Sequence, residues 1–322
     1  MASIYTKPYQ KPEDIVESHL VSRNLSFPNQ SDKDFASQIL NDVSWYKFKA
    51  YLYPYLDHPT KNYKANITFS HGLELYRFDH ELRSLCNFFI LKVETKAKSR
   101  IDHSVSSFTN DPFWYLNDDL FTHKTDLTSE RGKFVRYLNK SNMEFAEHYR
   151  ANYMSNKASF RKSAPFWITA ELITFDSLVR IIDGLLTTKF DVGGNNSLRD
   201  FAISMGARSF SEIKSWMKAL KELRNRCSHN SRTWNSNYRL PSGFVDNHNT
   251  CLSNSYITYA PTRKNKIYTL LVVLHLTSKD LSVTETPFKD KLKELLQKYS
   301  HIPILLDSMG IPSNWELDPV WA

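Results

Sequence analysis

The feature that most constrains this chain is a long run of apolar residues at three- and four-residue spacing. Such residues share one face of an α-helix, and the run predicts a helix that begins at Thr68 or Ser70 and ends near His103. No internal repeat and no alternating strand pattern accompanies it, so we expect an all-α protein. The residues of the run are Leu75, Phe78, Leu82, Leu85, Phe89 and Val93.

The rest of the chain predicts further helices and one long loop. Pro54 and Pro59 break a dense aromatic block at residues 44–56, and the polar stretch 230–262 reads as a loop. The tail after residue 300 has enough aliphatic residues and Trp to pack back on the body. We expect two parts, an N-terminal helical and aromatic segment (1–66) and a helical domain with insertions (67–322). The predicted helices are Glu13–Arg23, Asp32–Leu40, Glu130–Arg150, one opening at Pro165, Ser211–His229, Ile267–Thr277 and Phe288–Tyr299.

The charge, the cysteine content and the apolar runs of the chain limit the classes of function that it can have. The net charge of the 322 residues is +8, and the stretch 199–239 alone holds nine basic and three acidic residues. A local basic cluster indicates a nucleic-acid partner, although a solvated helix face gives the same pattern. The three cysteines are too scattered for a disulfide framework or a zinc site. No apolar run approaches the length of a membrane span and no signal peptide is evident, so we expect a cytoplasmic protein.

One helix carries the candidate chemistry. On the helix that opens at the capping-box sequence Ser209–Glu212, Arg224 falls on the same face as the apolar residues Ile213 and Met217. A guanidinium there is costly unless it pairs with a carboxylate such as Glu94, extends outward to solvent or faces a wet cleft. His229 follows five residues later, about 140° away around an ideal helix. The two can therefore share a pocket only if the helix ends early or a second copy supplies one of them.

An Arg–His pair suits metal-free RNA cleavage. Histidine exchanges protons near neutral pH, and arginine grips a phosphate and stabilises the charge that grows on it. The 2′-hydroxyl of the RNA attacks the adjacent phosphorus, and the products are a 2′,3′-cyclic phosphate and a 5′-hydroxyl. Because DNA lacks that hydroxyl, we expect no DNA cleavage. No cluster has metal-ligand spacing, so we expect no metal and no cofactor.

Five ordered blocks resemble one family. The segment 224–235, RNRCSHNSRTWN, resembles the R-N-x-x-x-H segment of HEPN ribonucleases, and more narrowly the abortive-infection Abi-like proteins of the AbiD/AbiF group. The other blocks resemble that family's aromatic block, its Tyr-x-Phe-Asp-x-x-Leu-Arg helix, its Pro-x-Trp…Glu…Thr-Phe block and its C-terminal tail. These four lie at residues 44–56, 67–85, 164–178 and 309–321.

The resemblance implies a HEPN-like helical bundle with additional helices and an RNA-directed role in phage defence or in a toxin–antitoxin system. It implies RNA as the partner, including a small non-coding RNA, and a homodimer in which the motifs of two copies meet. Arg224 and His229 match the catalytic pair, and Asn225 matches the polar residue after the arginine. Asn230 departs from the pattern, because many relatives have a second histidine there.

Further residues are candidates for supporting roles. Lys221, Arg226, Arg232 and Trp234 are predicted to contact RNA, although Trp234 can equally pin the loop to the core. Three more residues could support the Arg224–His229 pair, namely Glu94, Arg100 and Glu171. Arg100 belongs to a second, shorter Arg–His spacing, at residues 100–103. Asp79 and Arg83 are most simply a pair on a helix surface.

Three functions remain open from sequence alone. The first is a metal-independent endoribonuclease that acts as a homodimer. The second is a non-catalytic RNA-binding protein of a ribonucleoprotein or toxin–antitoxin system, in which the same basic stretch holds phosphates. The third is a helical interaction protein whose basic face docks an acidic partner.

Overall fold

A computed structural model of the chain describes residues 4–6, 8–122, 127–155, 157, 161–281 and 286–322. The described residues are mostly helical, and their only sheet is a two-stranded antiparallel hairpin, β1 (Asp191–Val192) with β2 (Asn195–Asn196). The predicted all-α class is therefore confirmed. The helices are α1 (Pro12–Ile15), α2 (Gln30–Asp42), α3 (Trp45–Leu52), α4 (Phe69–Thr109), α5 (Thr128–Lys140), α6 (Glu144–Tyr153), α7 (Phe166–Leu172), α8 (Phe175–Gly184), α9 (Ser197–Ser204), α10 (Phe210–Ser228), α11 (Tyr268–Ser278), α12 (Phe288–Lys298) and α13 (Leu305–Met309).

Shorter helical segments complete the chain. A π-helical turn and a 3₁₀ turn continue α1, and Pro54 lies in the 3₁₀ turn that follows α3. Two more 3₁₀ turns end the tail. The π-helical turn is Val16–Leu20, and the 3₁₀ turns are Val21–Arg23, Tyr53–Tyr55, Trp114–Leu116, Asp118–Leu120, Thr187–Phe190, Trp315–Leu317 and Pro319–Trp321.

The chain divides into two compact units, Met1–Glu81 and Leu82–Ala322. The core of the first unit is aromatic. Phe48 stacks on Phe69 with their ring centroids 4.6 Å apart. Helices α3 and α4 approach closely at Gly72, where an added Cβ would lie 2.6 Å from the side chain of Leu52. A larger residue at Gly72 would therefore require the Leu52 side chain to shift.

The second unit is built around α10 and α11. Helix α11 is apolar on all sides, and ten of its eleven residues are buried, which is typical of a helix in the centre of a core. Helix α10 packs against α8, α9 and α11. The helix predicted at Ile267–Thr277 is confirmed, and α10 is held in place along most of its length.

Two predicted helices are each divided in the structure. The predicted helix Glu130–Arg150 is α5 and α6, which are separated at residues 141–143, where the Ser141 hydroxyl accepts a hydrogen bond from the backbone of Met143. The helix predicted from Pro165 is α7 and α8, because the Thr174 side chain caps α8 by accepting a hydrogen bond from the Ser177 N–H. In both places a hydroxyl offers the backbone a partner outside the helix.

Helix α4 is longer than predicted and α9 was not predicted. Helix α4 continues past His103 to Thr109, because the Ser106 and Thr109 hydroxyls bond back within the helix, to Asp102 Oδ1 and to the Val105 carbonyl, and do not cap it. Helix α9 begins at Ser197 and is capped by Asn196, whose side chain accepts hydrogen bonds from the N–H groups of Leu198 and Arg199. The segment 230–262 contains no helix or strand, as predicted.

The predicted surface position of Asp79 and Arg83 is wrong. Both residues are buried. The Asp79 carboxylate accepts a hydrogen bond from the Tyr51 hydroxyl at 2.6 Å. A buried carboxylate needs such donors, because an unpaired charge in the interior is costly.

The tail packs back on the body, as predicted. Trp315 and Trp321 are buried, and the Trp321 ring lies over that of His275 with centroids 5.0 Å apart. The Trp321 indole N–H donates to the Tyr268 hydroxyl at 3.3 Å. His275 is only 5% exposed, and burial lowers its pKa from 6.5 to about 4, which outweighs the opposing effect of the hydrogen bond that its ring donates to the Val320 backbone carbonyl.

We expect acid to destabilise this cluster through His275. The unfolded chain binds the proton near pH 6.5 and the folded chain near pH 4, so acidification through this window favours unfolding, by up to about 3 kcal/mol. Urea unfolding between pH 7 and pH 4.5 should show a smaller loss of stability for His275→Gln than for the wild type. Equal losses in the two proteins would contradict this account.

Candidate functional site

The candidate site lies at the C-terminal end of α10. The helix begins as predicted, because the Ser209 hydroxyl accepts a hydrogen bond from the Glu212 N–H at 3.2 Å. The Glu212 carboxylate does not complete the capping box, since it accepts from the Arg208 N–H and the Tyr256 hydroxyl. The start of the helix is therefore tied to the loop that carries Tyr256.

The apolar stripe of α10 ends at Arg224. All of the predicted core residues before Arg224 are buried, and Arg224 itself is half-buried. Its Nε is buried without a hydrogen-bond partner, and Nη1 makes one long contact, 3.5 Å, with Asn225 Oδ1. No carboxylate of the described residues pairs with this guanidinium. The buried stripe consists of Ile213, Trp216, Met217, Leu220 and Leu223.

Glu94 does not pair with Arg224. The Glu94 carboxylate lies 3.1 Å from the Lys98 ammonium, one turn along α4, and its Oε2 is buried without a partner. Lys98 also donates to the Ile173 carbonyl. The sequence alternative in which Glu94 neutralises Arg224 is therefore wrong.

His229 occupies the C-cap of α10 and is exposed. The helix ends in a Schellman motif, in which the N–H of Asn230 bonds to the Cys227 carbonyl and the N–H of Ser231 to the Arg226 carbonyl. Asn230 has φ of 51°, a left-handed conformation that asparagine and glycine adopt most readily. The residue that departs from the family pattern therefore ends the helix.

The helix persists through the whole motif. The N–H of His229 bonds to the Asn225 carbonyl, so regular geometry extends to the C-cap. Arg224 and His229 thus leave the helix about 140° apart. Of the two arrangements that the sequence left open, an early helix end is excluded, and a shared pocket requires a second copy of the chain.

Arg226 and Tyr238 hold the loop after the motif. Arg226 donates to Glu222 Oε1 and to the Asn237 carbonyl, both at 3.1 Å, and its guanidinium lies 4.7 Å from the Tyr238 ring centroid. Burial raises the pKa of Tyr238 well above its usual range, and its hydroxyl donates to the Thr233 carbonyl. Arg226 therefore connects the helix to the loop, a structural role that the sequence did not predict.

Lys266 holds the same loop from the other side. Its ammonium donates to the Asn235 carbonyl and to Asn237 Oδ1, at 3.0 and 2.8 Å. Burial, together with the charges of Arg263 and Arg232, lowers the pKa of Lys266. Lys266 was not predicted, because it lies 37 residues after His229 and no pattern links the two. Arg232, a residue of this loop, therefore lies close to the positive charge of Lys266.

The RNA-stacking role predicted for Trp234 is wrong. The side chain is fully buried, so no face of the indole is open to a base. The other reading of the sequence, that Trp234 pins the loop to the core, describes it correctly. Its ring contributes to the core that orients the segment after His229.

Acidic residues of α8 engage the basic face of α10. Lys221 lies 2.7 Å from Asp176 Oδ1, and Lys218 lies 2.7 Å from Asp183 Oδ1, with Lys214 at 3.6 Å. Partial burial raises the pKa of Asp176, but hydrogen bonds from Lys221 and Arg180 outweigh this effect and lower it overall. Lys221 therefore has a structural partner, and its predicted contact with RNA stays a prediction.

The remaining candidates lie on other elements. Arg100 is exposed on α4 and lines a groove with Lys92 and Lys96. Glu171 is exposed on α7, and no contact of the described residues joins it to Arg224. Among the described residues no group of His, Cys, Asp or Glu is arranged to hold a metal ion, and no helix is long and apolar enough to cross a membrane.

The fold and this motif define a helical protein with a candidate Arg–His site at a helix end. A family model described as Abi-like protein matches residues 38–235, which is more than half of the chain and includes the whole motif. The chain therefore belongs to the Abi-like protein family. No curated protein and no solved structure matches the chain.

Asn230 offers a test of the helix end. Asn230→Gly should leave stability almost unchanged, because glycine adopts a positive φ without strain. Asn230→Val should lower the free energy of unfolding by about 1–2 kcal/mol, because a β-branched residue is strained there. Urea unfolding measures both, and a valine variant as stable as the glycine variant would contradict the assigned role.

Proposed function

We propose that this protein is a metal-independent HEPN endoribonuclease that acts in anti-phage abortive infection. The observation that carries the proposal is the half-buried Arg224 guanidinium without a counter-anion, five residues before an exposed histidine at a helix end. An arginine so placed is costly unless an anion joins it. A phosphodiester is an anion that the guanidinium fork fits well.

The chemistry follows from the roles of the two side chains. As the RNA 2′-oxygen bonds to the adjacent phosphorus, the bond from phosphorus to the 5′-oxygen breaks, and Arg224 stabilises the negative charge on the phosphoryl oxygens. His229 takes the proton of the 2′-hydroxyl. The leaving 5′-oxygen takes a proton from a solvent water, and the hydroxide so formed removes the proton from His229, so that one histidine suffices at each phosphodiester. The products are a 2′,3′-cyclic phosphate and a 5′-hydroxyl.

A homodimer resolves the angular problem. Because α10 stays helical through the motif, Arg224 and His229 of one chain diverge by about 140°. A two-fold axis beside the end of α10 would bring Arg224 of one copy towards His229 of the other. Asn225, exposed and in contact with Arg224, would then lie at the same junction and orient the guanidinium.

Membership of the Abi-like family supports the defence role. Cleavage of RNA during infection would stop protein synthesis in the infected cell. The test is phage challenge of cells that carry the wild-type protein or His229→Ala. We expect protection by the wild type only, and equal protection by both would contradict a nuclease mechanism. A small non-coding RNA bound to the protein is part of the proposal and is sought by sequencing RNA that copurifies.

The nuclease proposal predicts cleavage of single-stranded RNA in EDTA. His229→Ala should lower the rate by about 10²–10⁴-fold, because proton transfer is lost. Arg224→Ala should lower it by about 10²–10³-fold, because charge stabilisation is lost. Gel analysis of labelled RNA measures both rates.

Two matched controls accompany these variants. His248→Ala removes an exposed histidine, and Arg136→Ala removes an exposed arginine of α5. Both should cleave like the wild type. Undiminished cleavage by His229→Ala and Arg224→Ala would overturn the proposal, as would strict dependence on a divalent ion. RNA that binds tightly and stays intact would instead support the non-catalytic alternative.

The dimer proposal predicts complementation between inactive variants. In a mixture of Arg224→Ala and His229→Ala chains, a heterodimer has one junction in which both residues are wild-type. If chains exchange freely, half of the dimers are mixed, and about a quarter of the wild-type activity should return. No recovery in a mixture shown to contain heterodimers would contradict a shared site.

A further inference from the structure

A second cationic site lies beside the first half of α10. A cavity of about 260 Å³ is lined by Lys214 and Lys218 of α10, by Asp183 of α8 and by Arg239. Arg239 lies in the loop that follows the motif, and it is exposed. The hydroxyls of Ser215 and Ser242 also line the cavity. Charged groups and hydroxyl donors thus converge on one small space.

The charges in this cavity do not balance. Lys218 and Lys214 share the single carboxylate of Asp183, at 2.7 and 3.6 Å. Arg239 adds a third cation, which pairs with no carboxylate of the described residues, so three cations face one carboxylate. Such a site attracts an anion, and the hydroxyls can donate further hydrogen bonds to its oxygens.

Helix geometry relates this cavity to His229. Lys218 and His229 are eleven residues apart, which places them within about 20° of each other around α10 and about 16 Å apart along its axis. Asn225 lies between them on the same face. A strand that lies along this face would pass from His229 to the cavity without crossing the helix.

The size and lining favour a phosphate of a polymer. Small-molecule sites occupy roughly 300–1,000 Å³ and are mostly apolar, whereas this cavity is smaller and lined by charged and hydroxyl side chains. The other basic groove, along α4, differs in that the Lys96 ammonium already donates to the Thr277 and Lys279 carbonyls at the end of α11. The cavity at Arg239, unlike that groove, is lined by residues of α10, the helix that carries the Arg–His motif.

We propose that Lys214, Lys218 and Arg239 form a subsite for a backbone phosphate of the RNA substrate, several nucleotides away from the scissile bond. This inference rests on the proposed nuclease function and adds a site that determines how a longer strand is held. Asp183 tunes the subsite, because its carboxylate holds the two lysines and offsets part of their charge.

The test is binding of a single-stranded RNA oligonucleotide whose 2′-oxygens are methylated, so that it cannot be cleaved. Fluorescence anisotropy at several salt concentrations gives affinity and its salt dependence. Arg239→Ala should weaken binding about tenfold, since a charge-assisted hydrogen bond is lost, and should reduce the slope of log K against log salt by about 0.7. Asp183→Asn should tighten binding, because it removes the opposing charge.

The control is Arg136→Ala, which removes the same charge from an exposed position on α5 and should leave the affinity within about twofold of the wild type. Equal effects of Arg136→Ala and Arg239→Ala would overturn the subsite, because only total charge would then matter. Unchanged affinity in both Arg239→Ala and Asp183→Asn would also overturn it, as would absence of RNA binding by the wild type. A mononucleotide that saturates the cavity and leaves RNA binding unaffected would assign the cavity to a small ligand and contradict the proposal.

The outcomes separate this inference from the nuclease proposal. If the variants change binding as expected and the wild type does not cleave unmodified RNA, the subsite stands and the nuclease function fails. If the wild type cleaves RNA and neither Arg239→Ala nor Asp183→Asn alters binding, the nuclease stands and the subsite fails.

Discussion

The burial of the apolar stripe of α10 is the constraint on which the rest depends. Its residues, from Ile213 to Leu223, are buried where α10 packs against α8, α9 and α11. This packing fixes the rotation of the helix about its axis. It therefore fixes Arg224 at the edge of the core and turns Lys218 and His229 to the opposite, solvent-facing side. If α10 could rotate about its axis, the positions of Arg224, His229 and the lysines of the phosphate subsite would not be fixed.

The end of α10 depends on a second set of contacts. The Schellman motif at Asn230 stops the helix, and the contacts of Arg226 and Lys266 hold the loop that follows. Arg226 was predicted to contact RNA, but its contacts hold the loop, so part of the basic excess of this region is structural. The cations left for an anionic partner are fewer and more localised than the charge count suggests, with Arg224 and Arg239 foremost.

Patterns of residues a few positions apart predicted most of the helices and located the Arg–His motif on α10. The cap at Ser209 and the apolar stripe depend on residues a few positions apart, so a sequence displays them. The breaks at Ser141 and Thr174 were missed because the same hydroxyls occur inside helices, as Thr109 shows. The burial of Trp234 and the contact of Lys266 with the loop arise between distant segments, which periodicity cannot register.

The central claim is that Arg224 and His229 act on one RNA phosphodiester. The most direct measurement is mass spectrometry of the fragment ends after RNA is incubated with the protein in EDTA. Attack by the 2′-hydroxyl predicts a 2′,3′-cyclic phosphate on one fragment and a 5′-hydroxyl on the other, both missing with His229→Ala. Fragments that end in a 3′-hydroxyl and a 5′-phosphate would contradict the account, because they require water to attack the phosphorus.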